Sequence, residues 1–110
     1  MKQSKFATFS EEEALTHTRF LKLIADPTRL RILSLLSQRK EIGVADLVKY
    51  FAVDQSNISH QLRLLRVAGL VNCRRDGVRV YYRLQREALV SAGDATNALI
   101  QSWIDGMEAR

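Results

Sequence analysis

The feature that most constrains the fold is a tight junction between two amphipathic patterns, centred on Asp54. Residues 44–51 carry apolar side chains at helical spacing, namely Val44, Leu47, Val48 and Phe51. Asp54 suits a helix N-cap, and a second helical pattern follows over residues 55–68 until Gly69. Because so few residues connect them, these helices are predicted to form a helix-turn-helix, whose second helix can enter the major groove of DNA.

Two more helices are predicted before this motif. Ser10 and Glu13 have the spacing of a capping box, which begins a helix that ends near Ala25. Asp26-Pro27 then begins a helix over residues 27–37, since Asp suits the N-cap and Pro suits the first helical position. Residues 1–9 precede these signals and are predicted to form a flexible arm.

A β-hairpin is predicted after the helix-turn-helix, because the apolar period changes to two from Leu70 to Leu84. Asp76-Gly77 favours a type I′ turn between its strands. With that loop, the predicted pairs are Arg75 with Val78, Arg74 with Arg79, Cys73 with Val80, Asn72 with Tyr81, and Val71 with Tyr82. Two arginines that face each other favour a phosphate counter-ion.

Helical spacing returns at Gln85 and continues along the last segment. Its stripe contains Leu89, Ala92, Thr96, Leu99, Trp103 and Met107. The first helix carries a similar stripe of His17, Phe20, Leu21 and Ile24. We therefore predict one domain over residues 10–110. Its fold class is mainly α with a small β-hairpin wing. The element order, with four helices followed by the hairpin and a fifth helix, is that of a winged helix-turn-helix.

The net charge of +5 is unevenly distributed. Residues 63–86 contain seven arginines and one acid, whereas residues 87–110 contain four acids and one arginine. This distribution predicts an anionic partner for the first segment and another role for the second. No signal sequence is recognised and the single cysteine, Cys73, cannot form an internal disulfide, so a cytoplasmic location is predicted. Membrane insertion is excluded because no apolar run approaches ~20 residues.

The predicted helix over residues 55–68 has an apolar and a polar face. Ile58, Leu62 and Leu65 share the face that would attach it to the domain. The opposite face and flanks carry groups that hydrogen-bond to base edges and phosphates. Together with the wing, the predicted DNA-binding residues are Gln55, Ser56, Asn57, Ser59, His60, Gln61, Arg63, Arg74, Arg75 and Arg79. An ordinary solvated surface is the alternative for both the helix and the wing.

Three segments together resemble the ArsR/SmtB family of bacterial winged-helix repressors: ADPTRLRILSLL, VADLVKYFAVDQSNISHQLRLLRVAGLV and RRDGVRVYYRL. The resemblance covers about Leu21 to Leu84. It implies a homodimer that binds double-stranded DNA at a palindromic operator. The recognition helix would enter the major groove and the wing would contact the flanking backbone. An effector would release or alter the bound protein. The implied dimer interface consists of His17, Phe20, Leu21, Leu89, Ala92, Thr96, Leu99, Trp103 and Met107.

The chain departs from the family's metal motifs. Gly43 and Ala45 stand where some relatives carry a thiolate pair, and the positions of a second site hold Arg86, Ala88, Leu99 and Ser102. These positions lack the ligands that a divalent cation requires, so no metal and no cofactor are predicted. One alternative is a metal site relocated to Asp105 and Glu108, which share a helix face and which His17 could join across a dimer. The other is a redox role for Cys73, which has no resolving cysteine.

An enzyme finds little support in the sequence. His17 and His60 are far apart, and there is no nucleophile–base pair or Gly-rich phosphate loop. The predicted function is a sequence-specific DNA-binding homodimer that regulates transcription, most often by repression. A winged-helix module that binds protein is the alternative of a different class, because the fold alone does not set function.

Overall fold

The structure is a computed structural model that describes residues 9–109. The predicted arm lies outside the described residues, except for Phe9. The elements in the described part are α1 (Glu11–Ile24), α2 (Pro27–Leu36), β1 (Ile42–Gly43), α3 (Val44–Phe51), α4 (Gln55–Val67), β2 (Val71–Asp76), β3 (Arg79–Leu84) and α5 (Arg86–Glu108). The predicted fold class is confirmed. The sequence missed β1, because two residues cannot display a period of two.

Side-chain caps begin three of the helices where the sequence predicted them. Ser10 and Glu13 form the complete capping box of α1, with the Glu13 N–H donating to Ser10 Oγ at 3.1 Å. Asp26 accepts a hydrogen bond from the Arg29 N–H at 2.9 Å at the start of α2. Asp54 does the same for the Asn57 N–H at 2.9 Å and so begins α4. Each cap satisfies a donor that the helix itself leaves free.

The turn between α3 and α4 contains a left-handed alanine. Ala52 has φ 54° and donates its N–H to the carbonyl of Val48 at 3.0 Å, which ends α3. This conformation suits glycine, because a Cβ there crowds the backbone. Only residues 52–54 separate the two helices, and α3 packs against α4 as the helix-turn-helix prediction requires.

Ala52→Gly is therefore expected to raise the free energy of unfolding by about 0.5–1 kcal/mol, since relief of backbone crowding exceeds the added flexibility of the unfolded chain. Urea denaturation measures this change. The matched control is Ala68→Gly, because Ala68 ends α4 with φ −77° and gains nothing from glycine. A loss of stability in Ala52→Gly equal to that of the control would contradict the expectation.

One core joins the helices to the sheet. Its buried residues are Ile32, Leu36, Leu47, Ile58, Leu62, Leu65, Leu70, Val71 and Tyr82. The three from α4 are fully buried, which confirms the predicted inner face of that helix. Burial of these side chains fixes which face of α4 remains on the surface, because rotation of the helix would expose them.

The wing is part of a three-stranded antiparallel sheet in the order β1-β3-β2. The predicted hairpin register is wrong: Cys73 pairs with Tyr82 and Asp76 with Arg79, so every β2 residue pairs two positions further along β3. The loop is Gly77-Val78, with φ 63° at Gly77, as in turns that place glycine first. This register places the acidic Asp76 opposite the basic Arg79 beside the loop, and it removes the predicted pair of Arg74 with Arg79. The shift is even, so the two faces are as predicted.

The helix α5 leaves apolar side chains uncovered along its second half. Trp103 is 57% exposed and Met107 is 61% exposed, whereas Leu99 is only 8% exposed. The remaining predicted interface residues are half-buried, apart from Leu21, which is exposed. Phe20 and Leu89 already pack beside the core. Among residues 9–109, the uncovered apolar face therefore lies on the second half of α5.

Candidate nucleic-acid interface

A single groove gathers polar side chains from α4 and the wing. Seven of the ten predicted DNA-binding residues line it: Gln55, Ser56, Ser59, His60, Arg63, Arg75 and Arg79. All seven are exposed. The buried face of α4 turns its polar face outward, and the sheet holds β2 and β3 beside it. Residues that are separate in the sequence thus share one surface.

Three predicted residues lie elsewhere. Asn57 is exposed on α4 but does not line the groove. Gln61 is half-buried, and its side-chain carbonyl accepts a hydrogen bond from Arg29 Nη1 at 2.8 Å. Arg74 does not line the groove, although Arg79 on the same face of the wing does. The predicted set is therefore only partly brought together.

Arg74 has a partner within the domain. Its Nε donates to Glu41 Oε2 at 3.2 Å, its Nη2 donates to the other carboxylate oxygen, and its Cζ lies 4.6 Å from the centre of the Tyr81 ring. The hydrogen bond lowers the pKa of Glu41 and raises the pKa of Arg74. Arg74 therefore already has an anionic partner within the domain.

This ion pair makes a testable contribution to pH dependence. Because the pKa of Glu41 is lowered in the folded state, its contribution to stability is present above the unfolded pKa and is lost as the pH falls through the folded pKa. We expect Arg74→Met to raise the pKa of Glu41 towards its ordinary value. A carboxyl-carbon NMR titration of Glu41 in both proteins measures this change in pKa. An unchanged Glu41 pKa would contradict the pairing.

Arg66 is a groove residue that the sequence interpretation missed. It lines the groove beside Arg63, and its Nη1 donates to Cys73 Sγ at 3.4 Å, which raises the pKa of Arg66. A signal was present, since Ser59, Arg63 and Arg66 have the i, i+4, i+7 spacing of one helical face. Cys73 is half-buried on the side of the wing that was predicted.

The groove is strongly cationic. Arg63, Arg66, Arg75 and Arg79 line it, with Asp46 from the first turn of α3 as its one acidic lining residue in the described part. Val78 at the wing tip is 98% exposed beside these charges. Guanidinium groups can pair with phosphates or guanine, while hydroxyl and imidazole groups can reach other base edges. The arrangement suits a polyanion that also presents hydrogen-bonding edges.

The alternative metal ligands do not come together within one chain. Among residues 9–109, there is no group of three or more His, Cys, Asp and Glu side chains that could hold a metal ion. His17 packs against Phe9, with ring centres 5.5 Å apart, and Asp105 accepts a hydrogen bond from Gln101 at 2.9 Å.

None of the helices described here combines the length and apolar character needed to cross a membrane.

Comparisons with known proteins agree with this geometry. Residues 26–72 match a family model described as "Bacterial regulatory protein, arsR family". A "Transcriptional repressor SmtB homolog" from Synechocystis is 42% identical over 84 residues, which cover 76% of this chain. The chain spans 63% of that relative, and between half and two thirds of three further curated relatives.

Two solved structures extend the similarity. The crystal structure of Rv0081 from Mycobacterium tuberculosis has a TM-score of 0.67 and 33% identity, covering 89% of this chain and 99% of that one. A structure described as a "Possible transcriptional regulator for arsenical resistance" has a TM-score of 0.63 and 38% identity, covering 81% and 92%. The named relatives are regulators, in agreement with the prediction that the chain is not an enzyme.

Proposed function

Because this chain belongs to the ArsR/SmtB family of transcriptional regulators, we propose that it binds a palindromic operator as a homodimer and represses transcription in the cytoplasm. The observation that carries the proposal is the cationic groove between α4 and the wing. Four arginines that converge on one groove repel one another unless an anion neutralises them. An ordinary solvated surface therefore does not account for their arrangement.

In the proposed complex, α4 enters the major groove and the wing follows the adjacent backbone. Ser59, His60 and Arg63 face base edges from the exposed side of α4. Arg75 and Arg79 contact phosphates, because the exposed wing presents their charges beside the helix. Asn57 remains a candidate for the flank of the site, whereas the partners of Gln61 and Arg74 make direct contacts with DNA less favourable.

The uncovered apolar face of α5 supports the dimer. Trp103 and Met107 are large apolar side chains that the rest of residues 9–109 leaves more than half exposed. Pairing of this face with that of a second copy, together with α1, would remove it from water. A two-fold dimer would then present two copies of α4 to half-sites about one helical turn apart.

The test is selection of bound duplexes from a random library, followed by footprinting of the best sequence in physiological salt. We expect a palindromic site with an affinity of about 10 nM or tighter, and a steep loss of affinity as salt is raised. Light scattering should give the mass of a dimer. Failure to select any duplex would reject the proposal and favour a protein-binding module instead.

A further inference from the structure

Arg29 joins three helices at one point. Its backbone N–H donates to the Asp26 carboxylate that begins α2, at 2.9 Å. Its Nε donates to the carbonyl of Leu23 in the last turn of α1. Its Nη1 donates to Gln61 Oε1 on α4 at 2.8 Å. One half-buried guanidinium therefore connects the end of α1, the start of α2 and the middle of α4.

Each bond satisfies a group that would otherwise need water. The carbonyl of Leu23 lies in the last turn of α1, where carbonyls have no partner within the helix. A charged donor strengthens both side-chain bonds, and the planar guanidinium fixes the direction of each. Arg29 therefore holds the end of α1 and α4 at a defined separation.

The position of Gln61 on α4 agrees with this role. It precedes the buried Leu62 and follows the buried Ile58 by three residues, so it borders the core-facing stripe. Its side chain is half-buried, unlike the exposed Ser59, His60 and Arg63. Gln61 does not line the cationic groove. Its amide thus points to the domain's own framework and not to the groove.

We propose that Arg29 and Gln61 are positioning residues that set the orientation of α4 relative to α1, and that Gln61 does not read a base. The proposal rests on the DNA-binding function above. Base contacts depend on the direction of the α4 side chains, whereas non-specific phosphate contacts tolerate small rotations of the helix. The link therefore controls specific affinity more than non-specific affinity.

A double-mutant cycle of Arg29→Met, Gln61→Met and the double variant tests the link on the selected duplex and on a scrambled duplex. We expect each single variant to lose about tenfold in specific affinity, a factor within the range for a hydrogen bond to a charged group. The double variant should lose no more than the larger single loss. Scrambled-duplex affinity and the preferred base at each position should stay unchanged. Gln38→Met, in the exposed turn after α2, is the matched control.

A measurement without DNA separates this proposal from the function on which it rests. Amide hydrogen exchange across α4 should become about tenfold faster in each single variant and in the double variant, because the link opposes local opening. If the parent protein selects no duplex, the proposed function fails. Amide hydrogen exchange would then still test whether the Arg29–Gln61 hydrogen bond holds α4 in place. Unchanged exchange, additive losses in the cycle, or a base preference altered only by Gln61→Met would overturn the proposal.

Discussion

Replacement of both Arg75 and Arg79 by alanine is expected to weaken binding to the selected and the scrambled duplex by a similar factor, about one to two orders of magnitude. Both side chains are exposed on the wing and line the cationic groove. Removal of one phosphate-neutralising arginine should reduce the slope of log affinity against log salt by about 0.9, so the slope should fall by about two in the double variant. Titrations at several salt concentrations measure both quantities.

Arg74→Ala is the matched control for this prediction. Arg74 adjoins Arg75 in β2, but its guanidinium already pairs with Glu41 and lies over the Tyr81 ring. Its removal should therefore leave the salt slope nearly unchanged. A fall in slope equal to that of Arg79→Ala alone would show that Arg74 also neutralises a phosphate. Thermal unfolding of each variant checks that the wing remains folded.

Arg63→Ala should behave differently from the wing variants. Arg63 projects from the exposed face of α4, where a guanidinium can form two hydrogen bonds with guanine. The absence of these bonds costs about 1–3 kcal/mol at one base position and leaves other positions unchanged. A selection repeated with this variant would reveal the relaxed position. The comparison thus separates residues that read the sequence from those that hold the backbone.

The helices were predictable because their signals are local. Ser10, Asp26 and Asp54 are short polar residues immediately before apolar periodic segments, and each one caps its helix. The left-handed Ala52 gave no such signal, since alanine seldom adopts this conformation. The short connection between the helices was nevertheless evident from the spacing of their patterns.

The wing register could not be read from the turn alone. Asp76-Gly77 and Gly77-Val78 are both acceptable two-residue loops, because glycine supplies a positive φ in either. The pairs along the whole ladder distinguish them: the observed register places Val71 opposite Leu84 and Arg74 opposite Tyr81. The strand β1 adds pairs with β3 that no local pattern predicted. Non-local pairing therefore decided the register.

The candidate site shows the same division between local and tertiary information. Helical periodicity separated the buried Ile58, Leu62 and Leu65 from the exposed face of α4. It could not identify the partner of Gln61, because Arg29 lies 32 residues earlier in the chain. It also could not show that Glu41 occupies Arg74. The sequence thus predicted which groups face outward, while packing decided which of them already had partners.

Trp103→Glu is expected to convert the proposed dimer into a monomer and to reduce specific affinity by about a hundredfold or more. Burial of an unpaired carboxylate in an apolar interface is strongly unfavourable. In a dimer, binding of one recognition helix holds the second close to its own half-site, which raises the overall affinity. A monomer binds a single half-site and lacks this gain. Sedimentation velocity and titration of the full palindrome measure the two effects.

The matched control for the dimer is Asn97→Glu, which adds the same charge to α5 at another exposed position. Asn97 lies about 120° around the helix from Trp103, so its side chain lies outside the proposed interface. The Trp103→Glu chain should keep its helical circular dichroism, because Trp103 is 57% exposed and lies outside the core. A folded Trp103→Glu protein that sediments as a dimer would locate the interface elsewhere. The exposed end of α5 would then need another partner to cover it.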